Sequence, residues 1–135
     1  MTTTETDFAF FNALPDLDQN DLEALIEIAT VEDVPASTEL TVEGSVPERL
    51  YFVVEGEMLL EKSGRIRRIG PNIFVGETAF VLDDVASATV TLDRGGRCIS
   101  WDIAELGALI DRNSHVGSAF DMAFKQDLAR KVAGS

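Results

Sequence analysis

The chain is short of the residues that most often carry chemistry. Its 135 residues include one cysteine, Cys98, one histidine, His115, one tryptophan and one tyrosine. A single cysteine excludes an intramolecular disulfide. Cys98 sits in the apolar run RCISW and reads as a buried thiol. Positive charge is scarce too: 11 Lys and Arg stand against 24 Asp and Glu, a net charge of −13. Duplex nucleic acid is held largely by neutralising its phosphates, so direct nucleic-acid binding is disfavoured, as is an anionic membrane surface. No apolar run approaches the roughly 20 residues of a membrane span. The N-terminal MTTTETD is polar and acidic, unlike a secretory signal. A cytoplasmic location without membrane association is the expectation.

What is present suits one domain over residues 1–135, with residues 1–7 polar and expected to be disordered. Apolar residues make up 45% and charged residues 26%, a globular balance. A chain of this length buries roughly two-thirds of its unfolded surface. FAFFNAL, Phe8 to Leu14, is a short apolar element ended by Pro15. LDQNDLEALIEIAT carries Leu22, Leu25, Ile26 and Ala29 at helical spacing, with Asp18 or Asn20 as cap. Between Val31 and Asp102 come short β-type runs: VEDV, TELTV, LYFVV, EMLLE, RIRRI, ATVTL and RCISW. Gly44, Gly56, Gly64, Gly70 and the pair Gly95-Gly96 punctuate them. This pattern predicts a mainly β fold, an antiparallel sandwich or barrel flanked by helices. DRGGR reads as a hairpin turn, and VEGE around Gly56 as another reversal. Ile103, Leu106, Leu109 and Ile110 then form one helical stripe. Val116, Ala119, Phe120, Ala123, Phe124 and Leu128 form a longer one.

The scarcity of ligating residues excludes a cupin-type metal enzyme, because zinc and iron sites need several converging nitrogen, sulfur or carboxylate donors. His115 lies in the turn DRNSHVG, away from the β region. Asp83-Asp84 alone is not a calcium site. No G-x-S-x-G elbow, Cys/His pair or Walker loop occurs. Ser87, Ser114 and His115 read as surface or turn residues, and no catalytic or metal-binding residue is expected. RIRR, from Arg65 to Arg68, is the one compact basic cluster and reads as a solvated strand face. The stretch FVGETAFVLDDVASATV is left. Its G-E-T-A can form a helical turn whose first N–H groups hold an anion, and Glu77 can accept bonds from hydroxyls. A sugar phosphate fits that pair of features. An ordinary connecting turn fits them as well.

From about Phe10 to Val132 the chain resembles the cyclic nucleotide-binding domain family. The resemblance rests on FFNALPDLDQNDLEAL, TELTVEG with its turn at Gly44, LYFVVEGE, IGPNIFVGETAFV, ATV at Ala88 to Val90, and RCISWDIAELGALI. It implies an antiparallel β-roll of jelly-roll type, with N- and C-terminal helices, acting as a non-enzymatic signalling module. IGPNIFVGETAFV is similar to the family's phosphate-binding cassette. By that likeness Gly76 lets backbone approach a cyclic phosphate and Glu77 contacts the ribose 2′-hydroxyl. The amides of Thr78 and Ala79 face the phosphate, while Ser87 and Ala88 line the purine and phosphate side. The family's cassette arginine is missing. Nine residues after Glu77 stands Ala86, and no lysine or arginine occurs between Arg68 and Arg94. TVT at Thr89 to Thr91 and the Cys-x-x-Trp spacing of CISW resemble the Popeye-domain branch, which also lacks that arginine. The Asp-Ser-Pro-Glu cassette of that branch is absent here.

Two functions follow as expectations. One is a sensor of a cyclic nucleotide (cyclic AMP or cyclic GMP) or another small anionic ligand, with weak or altered binding and no required cofactor. Arg65, Arg67 and Arg68 are then the candidates to replace the missing charge, and the helix from Val116 to Val132 is the lever. The other is a degenerate module that no longer binds nucleotide. It would form a homodimer or bind a separate effector protein through its C-terminal helix, with Phe120 and Phe124 as anchors. Transcription-factor members of the family append a helix-turn-helix, for which the chain, ending at Ser135, leaves no room.

Overall fold

The computed structural model describes residues 17–82 and 84–133, with side chains up to residue 126. FAFFNAL, the polar residues 1–7, Asp83 and the side chain of Leu128 lie outside that set. Helix α1 (Gln19–Glu27) begins where Asp18 accepts a hydrogen bond from the Asp21 N–H, the N-cap that the sequence allows. Leu22 and Leu25 face inward. The stripe ends sooner than its spacing predicts: Ile26 is exposed, and Ala29 already belongs to strand β1.

Eight strands follow: β1 (Ala29–Val34), β2 (Thr38–Thr41), β3 (Arg49–Glu55), β4 (Met58–Lys62), β5 (Arg65–Ile69), β6 (Ile73–Val75), β7 (Thr89–Leu92) and β8 (Gly96–Asp102). A short helix, α2 (Glu77–Leu82), separates β6 from β7. Helices α3 (Ile103–Arg112) and α4 (Ser114–Ala133) close the described chain. The strands form two four-stranded antiparallel sheets, ordered β1-β8-β3-β6 and β2-β7-β4-β5. This is the β-roll.

The first sheet is covered on both sides. One face meets the second sheet through Val53, Ile73, Val75 and Cys98. The other meets the helices through Phe52, Phe74, Ile99 and Trp101. Burial on both faces removes the polar half of the alternation, which is why LYFVV and RCISW read as unbroken apolar runs. Phe74 is the hub on the helix side. Its ring centroid lies 4.9 Å from Phe52, 5.3 Å from Phe124 and 5.5 Å from Phe120. Trp101 is fully buried, and its indole N–H donates to the Leu25 carbonyl at 2.9 Å. That carbonyl belongs to the last turn of α1, where no helical donor remains. Phe120 and Phe124 are buried in this cluster, so in the chain as described they are core rather than partner anchors.

The DRGGR turn differs from its sequence reading as a hairpin. DRGGR joins β7 to β8 and VEGE joins β3 to β4, yet each pair lies in different sheets. Neither is a hairpin; both are corners between layers. The corners pack backbone against backbone. A Cβ on Gly56 would sit 2.5 Å from the Gly95 carbonyl, and one on Gly95 would sit 2.6 Å from the Val34 carbonyl. Both residues also hold a positive φ, so glycine is required twice over. A tight hairpin joins β4 to β5 through Ser63 and Gly64, both with positive φ. His115, which the sequence puts in a turn, lies in the first turn of α4, where Asn113 Oδ1 accepts its N–H.

Candidate functional site

The chain leaves the first sheet at β6 and turns at Gly76, whose φ is +95°. A Cβ there would meet the Arg49 carbonyl at 3.4 Å and Thr41 Cγ2 at 3.7 Å. Space is ordinary at those distances, so it is the left-handed backbone that favours glycine. The turn lets α2 start at Glu77, and the Phe80 N–H donates to the Gly76 carbonyl at 3.1 Å. The amides of Glu77, Thr78 and Ala79 precede the first helical bond and so have no donor role inside α2.

The returning segment runs beside this turn. The Ala86 N–H donates to the Ser45 carbonyl at 2.8 Å, and the Gly44 N–H donates to the Ala86 carbonyl at 2.9 Å. This pair of bonds ties Ala86 to the β2–β3 loop. The Thr41 hydroxyl donates to the Ala88 carbonyl at 3.0 Å, and Thr89 Oγ1 accepts from the Glu43 N–H at 2.9 Å. A register shift between Glu39 and Thr41 bends β2. Leu40 and Thr41 are consequently both buried, an outcome that plain alternation forbids and a bulge permits.

Gly76, Glu77, Thr78, Ala79, Ala86, Ser87 and Ala88 all border one pocket between α2 and the second sheet. Thr41, Leu60, Ile69, Val75 and Val90 complete its described lining. The sequence reading did not single out these five. Strand alternation could have found Leu60, Ile69 and Val90, but Val75 lies in a strand buried at every residue, and the bulge hides Thr41. The described lining contains no lysine or arginine. Its one ionisable group is Glu77, whose Oε2 atom is buried. The cavity measures about 40 Å³. A single water needs about 10–15 Å³ of such space, and pockets for drug-sized ligands run to roughly 300–1,000 Å³. The site as it stands has room for a few waters and would have to widen for a nucleotide.

The described cations nearest in sequence and register lie outside the lining. Arg68 reaches Glu57 at 3.2 Å and Asp93 at 3.1 Å on the outer face of the second sheet. The Arg49 Nε–H donates to Ser100 Oγ at 2.8 Å. Arg67 is half-buried opposite Leu60. On the side of α2 away from the pocket, the Phe80 ring lies 6.3 Å from Phe124 of α4. Burial, followed by the nearby Glu32 charge, pushes the Cys98 thiol up to about 12.

A comparison with family models matches the cyclic nucleotide-binding domain over residues 31–113. The chain belongs to the cyclic nucleotide-binding domain family. Solved structures agree on the fold. The regulatory domain of Toxoplasma gondii PKA, co-crystallised with cAMP, is 26% identical, with a TM-score of 0.68. That match covers 81% of this chain and 46% of the Toxoplasma chain, so the protein spans about half of its length. A candidate cyclic nucleotide-binding protein from Geobacter metallireducens GS-15 matches over 98% of this chain and 99% of its own. Its TM-score is 0.82 at 15% identity. The catabolite activator protein of Thermus thermophilus is 17% identical, with a TM-score of 0.70, over 90% of this chain and 60% of that one. Among curated proteins nothing matches. No described helix is long and apolar enough to cross a membrane.

Proposed function

We propose that this domain is a non-catalytic regulatory sensor that binds a cyclic nucleotide, cyclic AMP or cyclic GMP, with modest affinity in the Gly76–Ala88 pocket. The observation that carries this reading is the convergence of seven cassette residues, from two separate chain segments, on one cavity beside a buried glutamate oxygen. In this reading Glu77 accepts from the ribose 2′-hydroxyl, and the amides of Thr78 and Ala79 donate to the cyclic phosphate. Ser87 and Ala88 border the base. The alanine at position 86 deprives the phosphate of a charge-assisted partner. One such contact contributes about 1.5–3 kcal/mol, roughly ten- to a hundredfold in affinity.

Binding has to widen the pocket, and α2 is the element between the pocket and the helices. The Phe80–Phe124–Phe74 ring contacts join α2 to α4 and β6. A shift of α2 therefore changes the packing of α4, and differential ligand affinity for the two arrangements sets their populations. The output passes through α4 to a separate effector protein or a second copy, in the cytoplasm and without direct contact to nucleic acid.

A second reading, a protein-interaction module without a ligand, is supported by a different feature. A groove of about 690 Å³ lies among α2, α3 and α4, lined by Phe80, Val81, Ile103, Ile110 and Phe120. Val81, Leu82 and Met122 are exposed.

Isothermal titration of the whole chain with cyclic AMP and cyclic GMP separates the two. The sensor reading expects saturable heat that Glu77→Ala weakens. No heat at millimolar nucleotide from either ligand would leave the interaction module standing.

A further inference from the structure

We infer that Arg67, on the edge strand β5, supplies the cation for an anionic ligand of the pocket, in place of the side chain missing at Ala86. The inference rests on the reading of that pocket as a nucleotide site, and it assigns the phosphate contact to a residue from a different part of the chain.

The register of the β4–β5 hairpin carries it. Leu60 pairs with Arg67, and Met58 pairs with Ile69. Residues directly opposite in an antiparallel pair project on the same face, with Cβ atoms about 5 Å apart. Leu60 and Ile69 both line the pocket, and Met58 is fully buried in the core between the sheets. Arg67 therefore starts its side chain on the inner face, beside a lining residue. It is half-buried, whereas Arg65, Ile66 and Arg68 are exposed. The strand period decides among the three arginines. Arg68 alternates to the outer face, where Glu57 and Asp93 hold it. Arg65 shares the inner face but lies two further residues from Ile69, about 7 Å more along the strand.

β5 is at the edge of its sheet, so no neighbouring strand bars the path from the open side. A guanidinium presents a planar fork of five donors that suits phosphate oxygens. Arg67 already has an interaction of its own in the structure. A ligand anion must compete for it, which keeps the affinity modest.

The test is calorimetric titration of the full chain with cyclic AMP, comparing wild type with Arg67→Gln, Arg67→Lys, Arg68→Gln and Ala86→Arg. The expected result is saturable wild-type binding, a loss of tenfold or more in Arg67→Gln, partial recovery in Arg67→Lys and a change below twofold in Arg68→Gln. Ala86→Arg placed in the Arg67→Gln background should restore affinity. Wild-type binding that Arg67→Gln leaves unchanged overturns the role of Arg67 while keeping the nucleotide site. A silent wild type alongside a binding Ala86→Arg variant does the same, because Arg67 then supplies nothing. Silence in both overturns the nucleotide reading and this inference with it.

Discussion

Phe74 and Gly76 are two residues apart and serve opposite ends. Phe74 looks from the first sheet toward the helices and is packed by four aromatic rings, those of Phe52, Trp101, Phe120 and Phe124. Gly76 borders a small void lined by alanines, aliphatic side chains, the hydroxyl residues Thr41, Thr78 and Ser87, and one glutamate. The helix side fills its space with large side chains and leaves little to choose between sequences of equal volume. The pocket side keeps small residues where a filled core would place larger ones. The contrast teaches that the large aromatic side chains gather on one face of the first sheet, while the other face packs aliphatic side chains beside the pocket proposed above for recognition, with Phe80 and Phe124 joining α2 to the aromatic side.

Substitutions can break that division. The largest effect is expected on the packed side. Trp101→Ala removes a fully buried ring and the hydrogen bond to Leu25, and should cost about 3–5 kcal/mol. Against a typical domain stability of about 5–15 kcal/mol, that loss would be plain in urea denaturation. A cost below about 1 kcal/mol would show that the aromatic cluster is not the stable half. On the pocket side, Ala86→Arg crowds a buried position and should cost about 1–3 kcal/mol, yet strengthen cyclic AMP binding by roughly ten- to a hundredfold. An unchanged isotherm would mean that the pocket departs from a nucleotide site in shape as well as charge.

Alkaline pH probes the layer between the two sheets. The Cys98 thiol is shifted by burial from an ordinary value of 9.0 up to about 12. The folded state therefore holds its proton more tightly than the unfolded state. The associated stability is fully present below pH 9 and is lost as pH rises through 12. A single group cannot change stability by more than about 1.4 kcal/mol per pH unit. Denaturation midpoints in wild type should fall over this range more steeply than in Cys98→Ala, and parallel curves would remove Cys98 as the cause. The smallest effect belongs to the surface. Asp18→Ala deletes the cap of α1 and should cost about 1 kcal/mol, while cyclic AMP affinity stays the same.

Much of the fold was legible because burial leaves a period in the sequence. The stripes Leu106–Leu109 and Val116–Ala119–Phe120–Ala123–Phe124 are helices with those residues inward. Seven short β-type runs became seven strands. The eighth, β6, was hidden in the cassette segment, because three consecutive buried residues carry no alternation. DRGGR misled for a physical reason: glycine marks close backbone approach as well as hairpins, and nothing local says which. Phe120 and Phe124 were open to two readings, partner anchors or core packing against the roll, since an apolar stripe does not say whether its cover is the same chain; burial decides for the core. At the candidate site, the family pattern singled out seven residues that border one pocket, but not Thr41, because a bulge in β2 turns it inward. The pairing of Arg67 with the lining residue Leu60 depends on a hairpin register that its own segment does not encode.

The sequence by itself determined the order of helix, β region and helices, the net negative charge, the buried thiol and the absence of a cation between Arg68 and Arg94, because each depends on residue type and local period. Only the tertiary structure decided that the glycine turns are corners between sheets, that Ala86 is held by the Gly44–Ser45 loop, and that the cavity is about 40 Å³. Those follow from which strands pair and how the two sheets and the four described helices pack. That arrangement arises from contacts between residues far apart in the chain.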